Sequence, residues 1–83
     1  MNYDLSQHAI DAIAKRNIAA EWLERALDAP QRVVPDAMDE ELEHRIIAIP
    51  ELGGRVLRVV VNAHRSPIRI ATAYIDRKLR GRL

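Results

Sequence analysis

The sequence predicts an α+β domain in which two N-terminal helices pack on a four-stranded antiparallel sheet. Apolar residues recur at helical spacing in the first third of the chain, and short runs rich in valine and isoleucine follow it. Short turns separate these runs, and strands joined by short turns pair antiparallel. With 83 residues, the chain is expected to form a single domain over residues 1–83.

The first predicted helix begins after Ser6 and runs to about Asn17. A serine hydroxyl can accept from the free backbone N–H groups of a helix start, and asparagine tolerates the left-handed conformation that ends helices. Four apolar residues share one face at 3.6 residues per turn, which predicts that this face is buried. They are Ala9, Ile10, Ile13 and Ala14.

The second predicted helix passes through residues 21–27 and is closed by Pro30. Its start is poorly capped, because Ala19 and Ala20 stand where serine or aspartate would serve better. The residues predicted for its buried side are Trp22, Leu23, Ala26 and Leu27.

Four strands are predicted over residues 31–34, 42–49, 55–63 and 68–74. An exposed acidic turn and two shorter turns separate them, at residues 36–41, 50–54 and 64–67. The basic residues 76–83 form a tail that could be a short helix.

Alternation with period two assigns the faces of the sheet. In the third strand it places the row that begins at Leu57 under the helices and leaves Arg58 and Asn62 on the open face. In the fourth strand it places Ile68, Ile70, Thr72 and Tyr74 under the helices and Arg69 on the open face. The second strand is ambiguous, since either Arg45 or His44 could face the helices; we favour Arg45 on the open face.

Charge is divided sharply along the chain. Residues 1–43 carry ten acidic and four basic side chains, whereas residues 44–83 carry two acidic and nine basic ones. Eight of those nine are arginines, whose planar donors match phosphate oxygens in pairs. The second half is therefore expected to contact a polyanion.

Composition excludes several classes of site. The chain has no cysteine, so it forms no disulfide and no thiolate zinc site. Its three histidines show no H-x-H or H-x-x-x-H spacing, and no metal or other cofactor is expected. No apolar run approaches the roughly 20 residues of a membrane span, and the first residues lack the pattern of a signal peptide. We expect no membrane partner and a cytoplasmic location.

Several motifs in a fixed order carry a resemblance to a known family. They are Ser6-x-His8-Ala9, residues 16–18, a helix that ends before Pro30, a valine-rich strand, and residues 70–74. Over roughly residues 4–76 the chain resembles the domain of unknown function 4258 family, which is similar to the BrnT and RelE toxins of bacterial toxin–antitoxin pairs. This chain has Asn17 where the family more usually has glycine; both residues accept positive φ.

The resemblance implies a ribonuclease fold whose sheet meets RNA and whose activity an antitoxin protein silences. Its basic side chains would hold the scissile phosphate. Cleavage without a metal needs a base for the 2′-OH, an acid for the 5′-oxygen and cations for the phosphorane. We therefore expect a toxin-like, metal-independent endoribonuclease that cleaves RNA by 2′-OH attack.

His8 is the leading candidate for proton transfer. It lies on the helix face opposite the apolar stripe, and the positive start of the helix favours its neutral form. The alternative is a structural histidine that hydrogen-bonds at the helix start or bridges to the sheet near Thr72 or Tyr74.

Three arginines, Arg45, Arg58 and Arg69, form the predicted phosphate clamp, unless they pair with acidic neighbours such as Glu43. Tyr74 is either a phenolic acid, a stacking platform for a base or a core residue. The predicted catalytic residues are His8, Arg58, Arg69 and Tyr74. The predicted RNA-binding residues are Arg45, Asn62, Arg65, Arg77, Lys78 and Arg80.

Two further hypotheses remain open. A non-catalytic binding module of the same fold would use its basic face for nucleic acid or for an acidic protein. A homo-oligomer would place the acidic turn of one copy on the basic sheet of another.

Overall fold

A computed structural model of the protein describes residues 2–83, which form two α-helices and a five-stranded mixed sheet. Strand order in the sheet is β1-β5-β4-β3-β2. Two short 3₁₀ turns lie at Pro50–Leu52 and Arg77–Leu79. The elements in chain order are β1 (Tyr3–Leu5), α1 (Gln7–Arg16), α2 (Ala20–Asp28), β2 (Arg32–Pro35), β3 (Glu43–Ile49), β4 (Arg55–Asn62) and β5 (Ile68–Asp76).

The predicted α+β class is confirmed, but the predicted four-stranded antiparallel sheet is wrong in detail. Strands β2 to β5 are antiparallel neighbours, as expected. A fifth strand, β1, lies parallel to β5 and pairs Tyr3 with Ile68 and Leu5 with Ile70. With three residues, β1 is too short to show the alternation that identifies a strand.

Helix α1 begins and ends where the sequence predicts. The hydroxyl of Ser6 accepts from the backbone N–H of Ala9 at 3.0 Å, and Asn17 ends the helix in the left-handed conformation with φ of 54°. Its buried face is rotated from the predicted one, since Ile10 is 45% exposed while Ala12 is buried. Helix α2 buries Leu23 and its neighbours as predicted, without a side-chain cap at its start.

The core lies between the helices and one face of the sheet. Strand β4 contributes Leu57, Val59 and Val61 to it, which confirms the row predicted for that strand. Strand β5 contributes Ile70 and Ala73. We call the opposite side of the sheet, away from the helices, the distal face.

A β-bulge in β5 reverses the predicted alternation of that strand. Val60 pairs with Thr72, but the next residue, Val61, pairs with Ile70, so that Ala71 is an extra residue. Beyond the bulge Ala73 faces the helices, whereas Thr72 and Tyr74, predicted under the helices, lie on the distal face. A single inserted residue shifts every later side chain to the other face.

Ser6 satisfies the backbone at this bulge. Its N–H donates to the carbonyl of Ile70 at 3.1 Å, and its hydroxyl donates to the carbonyl of Ala71 at 2.9 Å. The residue that caps α1 therefore also stabilises the irregular part of β5. As a result, Tyr74 lies directly opposite Arg58 in the register.

The prediction that Arg45 lies on the open face is wrong. Arg45 pairs with Val59 of the core row, and its guanidinium donates to the carbonyl of Leu27 at 2.8 Å. Carbonyls at the end of a helix lack helical partners and carry partial negative charge, so the end of α2 stabilises an arginine there. His44 takes the distal position instead, opposite Val60.

Segment 77–83 crosses the distal face. Its 3₁₀ turn packs on β4, and Arg32 of β2, at the far edge of the sheet, donates to the carbonyl of Arg82 at 3.3 Å. Ile46 and Val56 are 0% and 1% exposed, although α1 and α2 pack on the other face. The tail that could have been a short helix is a 3₁₀ turn followed by a second turn at Arg80 and Gly81, in which the N–H of Arg82 donates to the carbonyl of Leu79 at 2.9 Å.

Candidate functional site

Each arginine of the predicted phosphate clamp has a carboxylate partner. Arg45 lies on the helix side, while Arg58 and Arg69 lie on the distal face, so the three do not share one surface. The ion pairs are Arg45–Glu43 at 2.9 Å, Arg58–Asp76 at 3.0 Å and Arg69–Asp4 at 3.2 Å. All three arginines therefore pair with acidic neighbours, which is the alternative to a phosphate clamp.

Arg58 belongs to a chain of four polar side chains on the distal face. Asp36 contacts Nε2 of His44 at 2.6 Å, and Nδ1 of His44 lies 3.0 Å from a terminal nitrogen of Arg58. Arg58 then reaches Asp76, with Nε at 3.1 Å from the carboxylate. We call these residues, Asp36, His44, Arg58 and Asp76, the distal network.

The hydrogen bonds of the distal network assign the tautomer of His44. Arginine is always a donor, so Nδ1 of His44 accepts from Arg58 and the ring proton lies on Nε2, which donates to Asp36. This bond from His44 is the main cause that lowers the pKa of Asp36, and the backbone N–H groups of Met38 and Asp39 lower it further. The network is a set of satisfied structural groups rather than a vacant phosphate site.

Other predicted residues lie apart from one another. His8 is exposed in the first turn of α1. Asn62 accepts from the backbone N–H of His64 in the loop after β4, where Arg65 is exposed. His8 does not join Tyr74, because Arg16, the α1 residue near Tyr74, is about 12 Å from His8 along the helix axis at 1.5 Å per residue.

Several arginines meet in a groove at the end of the sheet. It consists of two adjoining depressions with volumes of about 360 and about 440 Å³, which share Arg55 and Arg77. Arg80 completes the first depression, and Arg16, Tyr74 and Ile75 complete the second. We call this feature the arginine groove.

The fold explains why a groove forms there. Strand β1 pairs with β5 only as far as Ile70, so the rest of β5 continues without a strand neighbour on that side. Arg16 lies in the last turn of α1, where the helix dipole stabilises a cation. Arg55 begins β4 directly after Gly53 and Gly54, whose φ values of 66° and 82° suit glycine.

Within residues 2–83, no carboxylate lines either depression. Among residues 2–83, Arg16, Arg55 and Arg77 have neither an ion pair nor a side-chain hydrogen bond. Arg80 donates to the carbonyl of Gly53 at 3.2 Å, which holds it at the rim. Several guanidinium groups without counter-ions in one concave site make a local positive potential that attracts anions.

The sequence located only part of this groove. Tyr74, Arg77 and Arg80 were predicted as functional residues and meet here, whereas the side chain of Lys78 does not line it. Arg16 and Arg55 were missed, because they come from a helix end and a strand start that are distant in sequence. The excess of basic over acidic residues in residues 44–83 was a sequence signal for Arg55. No sequence signal indicated Arg16.

A different ion pair ties α2 to the turn before β4. Arg25 and Glu51 contact each other through both carboxylate oxygens, and the Arg25 hydrogen bonds lower the pKa of Glu51 to about 2. This pair removes Glu51 as a counter-ion for the arginine groove.

Comparisons with known proteins identify a family and nothing more specific. No curated protein and no solved structure shows significant similarity to this chain. Within residues 2–83, no helix is both long and apolar enough to span a bilayer. The family described as Domain of unknown function (DUF4258) matches residues 5–75, which include both helices and nearly the whole sheet. The chain therefore belongs to the DUF4258 family.

Proposed function

We propose that this protein binds single-stranded RNA in the arginine groove. The observation that carries the proposal is the presence of Arg16, Arg55 and Arg77 in one concave site with no carboxylate partner. Arginine binds phosphate oxygens through paired N–H donors, which makes a phosphodiester backbone the natural ligand.

The shape of the groove supports a nucleotide chain. Its two depressions, about 360 and about 440 Å³, lie in the lower part of the range of small-molecule pockets, about 300–1,000 Å³. Each is suited to one nucleotide. The shared residues Arg55 and Arg77 would hold the phosphate between the two nucleotides.

Tyr74 favours a single strand over a duplex. It is half-buried and lines only the second depression, where its ring offers a stacking surface for one base. Bases are available for stacking on aromatic side chains when the strand is unpaired. The likeness of the fold family to RelE and BrnT toxins, expected from the sequence, favours RNA over DNA.

Metal-independent RNA cleavage is the second candidate function, and the phenol of Tyr74 beside three arginines favours it. In this reaction the 2′-hydroxyl loses its proton to water, its oxygen attacks phosphorus, the 5′-oxygen leaves, and a cyclic phosphate and a 5′-hydroxyl form. The arginines would stabilise the charge of the phosphorane, and Tyr74 would protonate the 5′-oxygen. The lining residues from the described part of the chain, residues 2–83, include no second proton-transfer group, so binding is the better supported function.

An antitoxin protein would act at the same place. An acidic segment of such a partner has the charge to occupy the arginine groove and exclude RNA. Competition between RNA and the partner is therefore part of the proposal.

Binding is tested by fluorescence anisotropy with a labelled RNA oligonucleotide over a range of salt concentrations. We expect Arg55→Ala and Arg77→Ala each to weaken binding about tenfold, the loss of one charge-assisted contact, and to lower the salt slope by about 0.7. Arg65→Ala, in an exposed loop outside the groove, is the matched control. Equal losses for Arg65→Ala and Arg55→Ala would show diffuse attraction instead of a site.

Cleavage is tested on the same oligonucleotide in the presence of a chelator. Tyr74→Phe keeps the aromatic ring and removes the phenolic hydroxyl that would donate the proton, so we expect unchanged RNA affinity and loss of cleavage. If the wild-type protein binds RNA and leaves it intact, the protein is a binding module. If it binds no RNA, both functions are excluded.

A further inference from the structure

Asp76 lies at the junction between the sheet and segment 77–83. One of its carboxylate oxygens accepts from Nε of Arg58 at 3.1 Å, and the other accepts from the backbone N–H of Lys78 at 3.0 Å. The same side chain thus bonds to the centre of the distal face and caps the 3₁₀ turn that follows it.

The positions of two of the four groove arginines depend on the direction in which segment 77–83 leaves the sheet. Arg77 follows Asp76 directly, and Arg80 lies just beyond the 3₁₀ turn. The other two, Arg16 and Arg55, belong to α1 and β4. The 3₁₀ turn of segment 77–83 packs on β4, and this contact sets where Arg77 and Arg80 lie in the groove.

The anchor of Asp76 is itself held in place. Arg58 is fixed by His44, and His44 is fixed by Asp36, so that the distal network connects the loop after β2 to β3, β4 and β5. The side chains of Arg58 and Asp76 are 17% and 15% exposed. Charged groups with so little exposure are stable only as a pair with good geometry.

We propose that the distal network positions the arginine groove for RNA, with Asp76 and Arg58 as positioning residues that do not touch the ligand. This inference rests on the proposed RNA binding. It assigns to Arg58 a structural role in the site instead of the catalytic contact that the sequence predicts.

The sign of one substitution separates positioning from simple electrostatics. Removing a carboxylate beside a polyanion site should tighten binding if only charge matters, because a repulsive group is lost. Removing Asp76 should weaken binding if its role is to hold Arg77 and Arg80 in the groove. The two effects have opposite directions.

The experiment measures RNA affinity by anisotropy for the wild type, Asp76→Ala, Asp76→Asn and Arg58→Lys. We expect a loss of about tenfold for Asp76→Ala, in line with removal of a capping side chain. We expect a smaller loss for Asp76→Asn, which keeps an acceptor for the Lys78 N–H. Arg58→Lys keeps the charge but not the paired contacts and should also weaken binding.

Asp4→Ala is the matched control. Asp4 is also a carboxylate paired with a distal-face arginine, Arg69, but it lies outside segment 77–83 and the groove. We expect its removal to leave RNA affinity unchanged or slightly higher. If Asp4→Ala weakens binding as much as Asp76→Ala does, the positioning role is overturned.

A readout without RNA tests the same inference. Trypsin cuts after arginine and lysine, and segment 77–83 contains Arg77, Lys78, Arg80 and Arg82. We expect Asp76→Ala to release this segment faster than the wild type does while circular dichroism stays unchanged. An unchanged release rate together with unchanged or tighter RNA binding overturns the positioning role of Asp76. If the wild type binds no RNA, the proposed function is overturned, and the release rate alone then decides whether Asp76 holds segment 77–83.

Discussion

The arginines in the middle of the sheet and those at its end differ in exposure and in their partners. Arg58 and Arg45, with side chains 17% and 20% exposed, each contact a carboxylate. Arg55 and Arg77 are exposed and contact none. A charge removed from water requires a partner within the fold, whereas a solvated charge does not. Position in the sheet therefore separates structural arginines from those available to a ligand.

This difference predicts unequal effects on stability. Arg58→Ala removes one partner of Asp76 and one partner of His44, both little exposed, and we expect it to lower the free energy of unfolding by about 2–4 kcal/mol. Arg55→Ala removes an exposed, unpaired side chain and should change it by less than about 0.5 kcal/mol. Urea titration followed by circular dichroism measures both. Equal losses of stability would mean that the arginines in the middle of the sheet contribute no more to folding than those at its end.

The bulge at Ala71 affects both regions of the sheet, because it places Tyr74, a residue of the groove, opposite Arg58 in the middle of the sheet. Ser6→Ala removes the cap of α1 and the hydrogen bond to the Ala71 carbonyl, and we expect a loss of about 1–2 kcal/mol. The same urea titration measures it. Asn2→Ala, at an exposed residue before β1, is a control that should leave stability unchanged.

The smallest expected effect concerns the exposed pair of Arg25 and Glu51. The folded protein lowers the pKa of Glu51 from 4.5 to about 2, so the pair stabilises the fold above pH 4.5. That contribution is lost as the pH falls from 4.5 toward 2, because protons then bind the unfolded state preferentially. Thermal unfolding across this range should show a shallower decline for Glu51→Gln; an identical slope would mean that the pair contributes nothing.

Local signals predicted most of the fold. The cap at Ser6, the left-handed end at Asn17 and the alternation through Leu57 identified the helices and the core face of β4 correctly. These features depend on residues close in sequence, where propensity and periodicity are direct evidence.

Non-local contacts account for what was missed. The side on which Arg45 lies was decided by the carbonyl of Leu27 at the end of α2, which no pattern within β3 reveals. The bulge at Ala71 is fixed by Ser6, which lies 65 residues away. The groove joins Arg16 to Arg55, and neither residue belongs to a local motif. Such contacts become visible only when the chain is folded.

The pairing of β1 with β5 has a consequence for the order of folding. It joins residues about 65 positions apart, whereas β3, β4 and β5 are connected by short turns. Closing a long loop costs more conformational entropy and delays the contact. We expect the antiparallel strands to assemble first and β1 to dock last, so a nascent chain acquires its complete sheet only after residue 76, the end of β5, has left the ribosome.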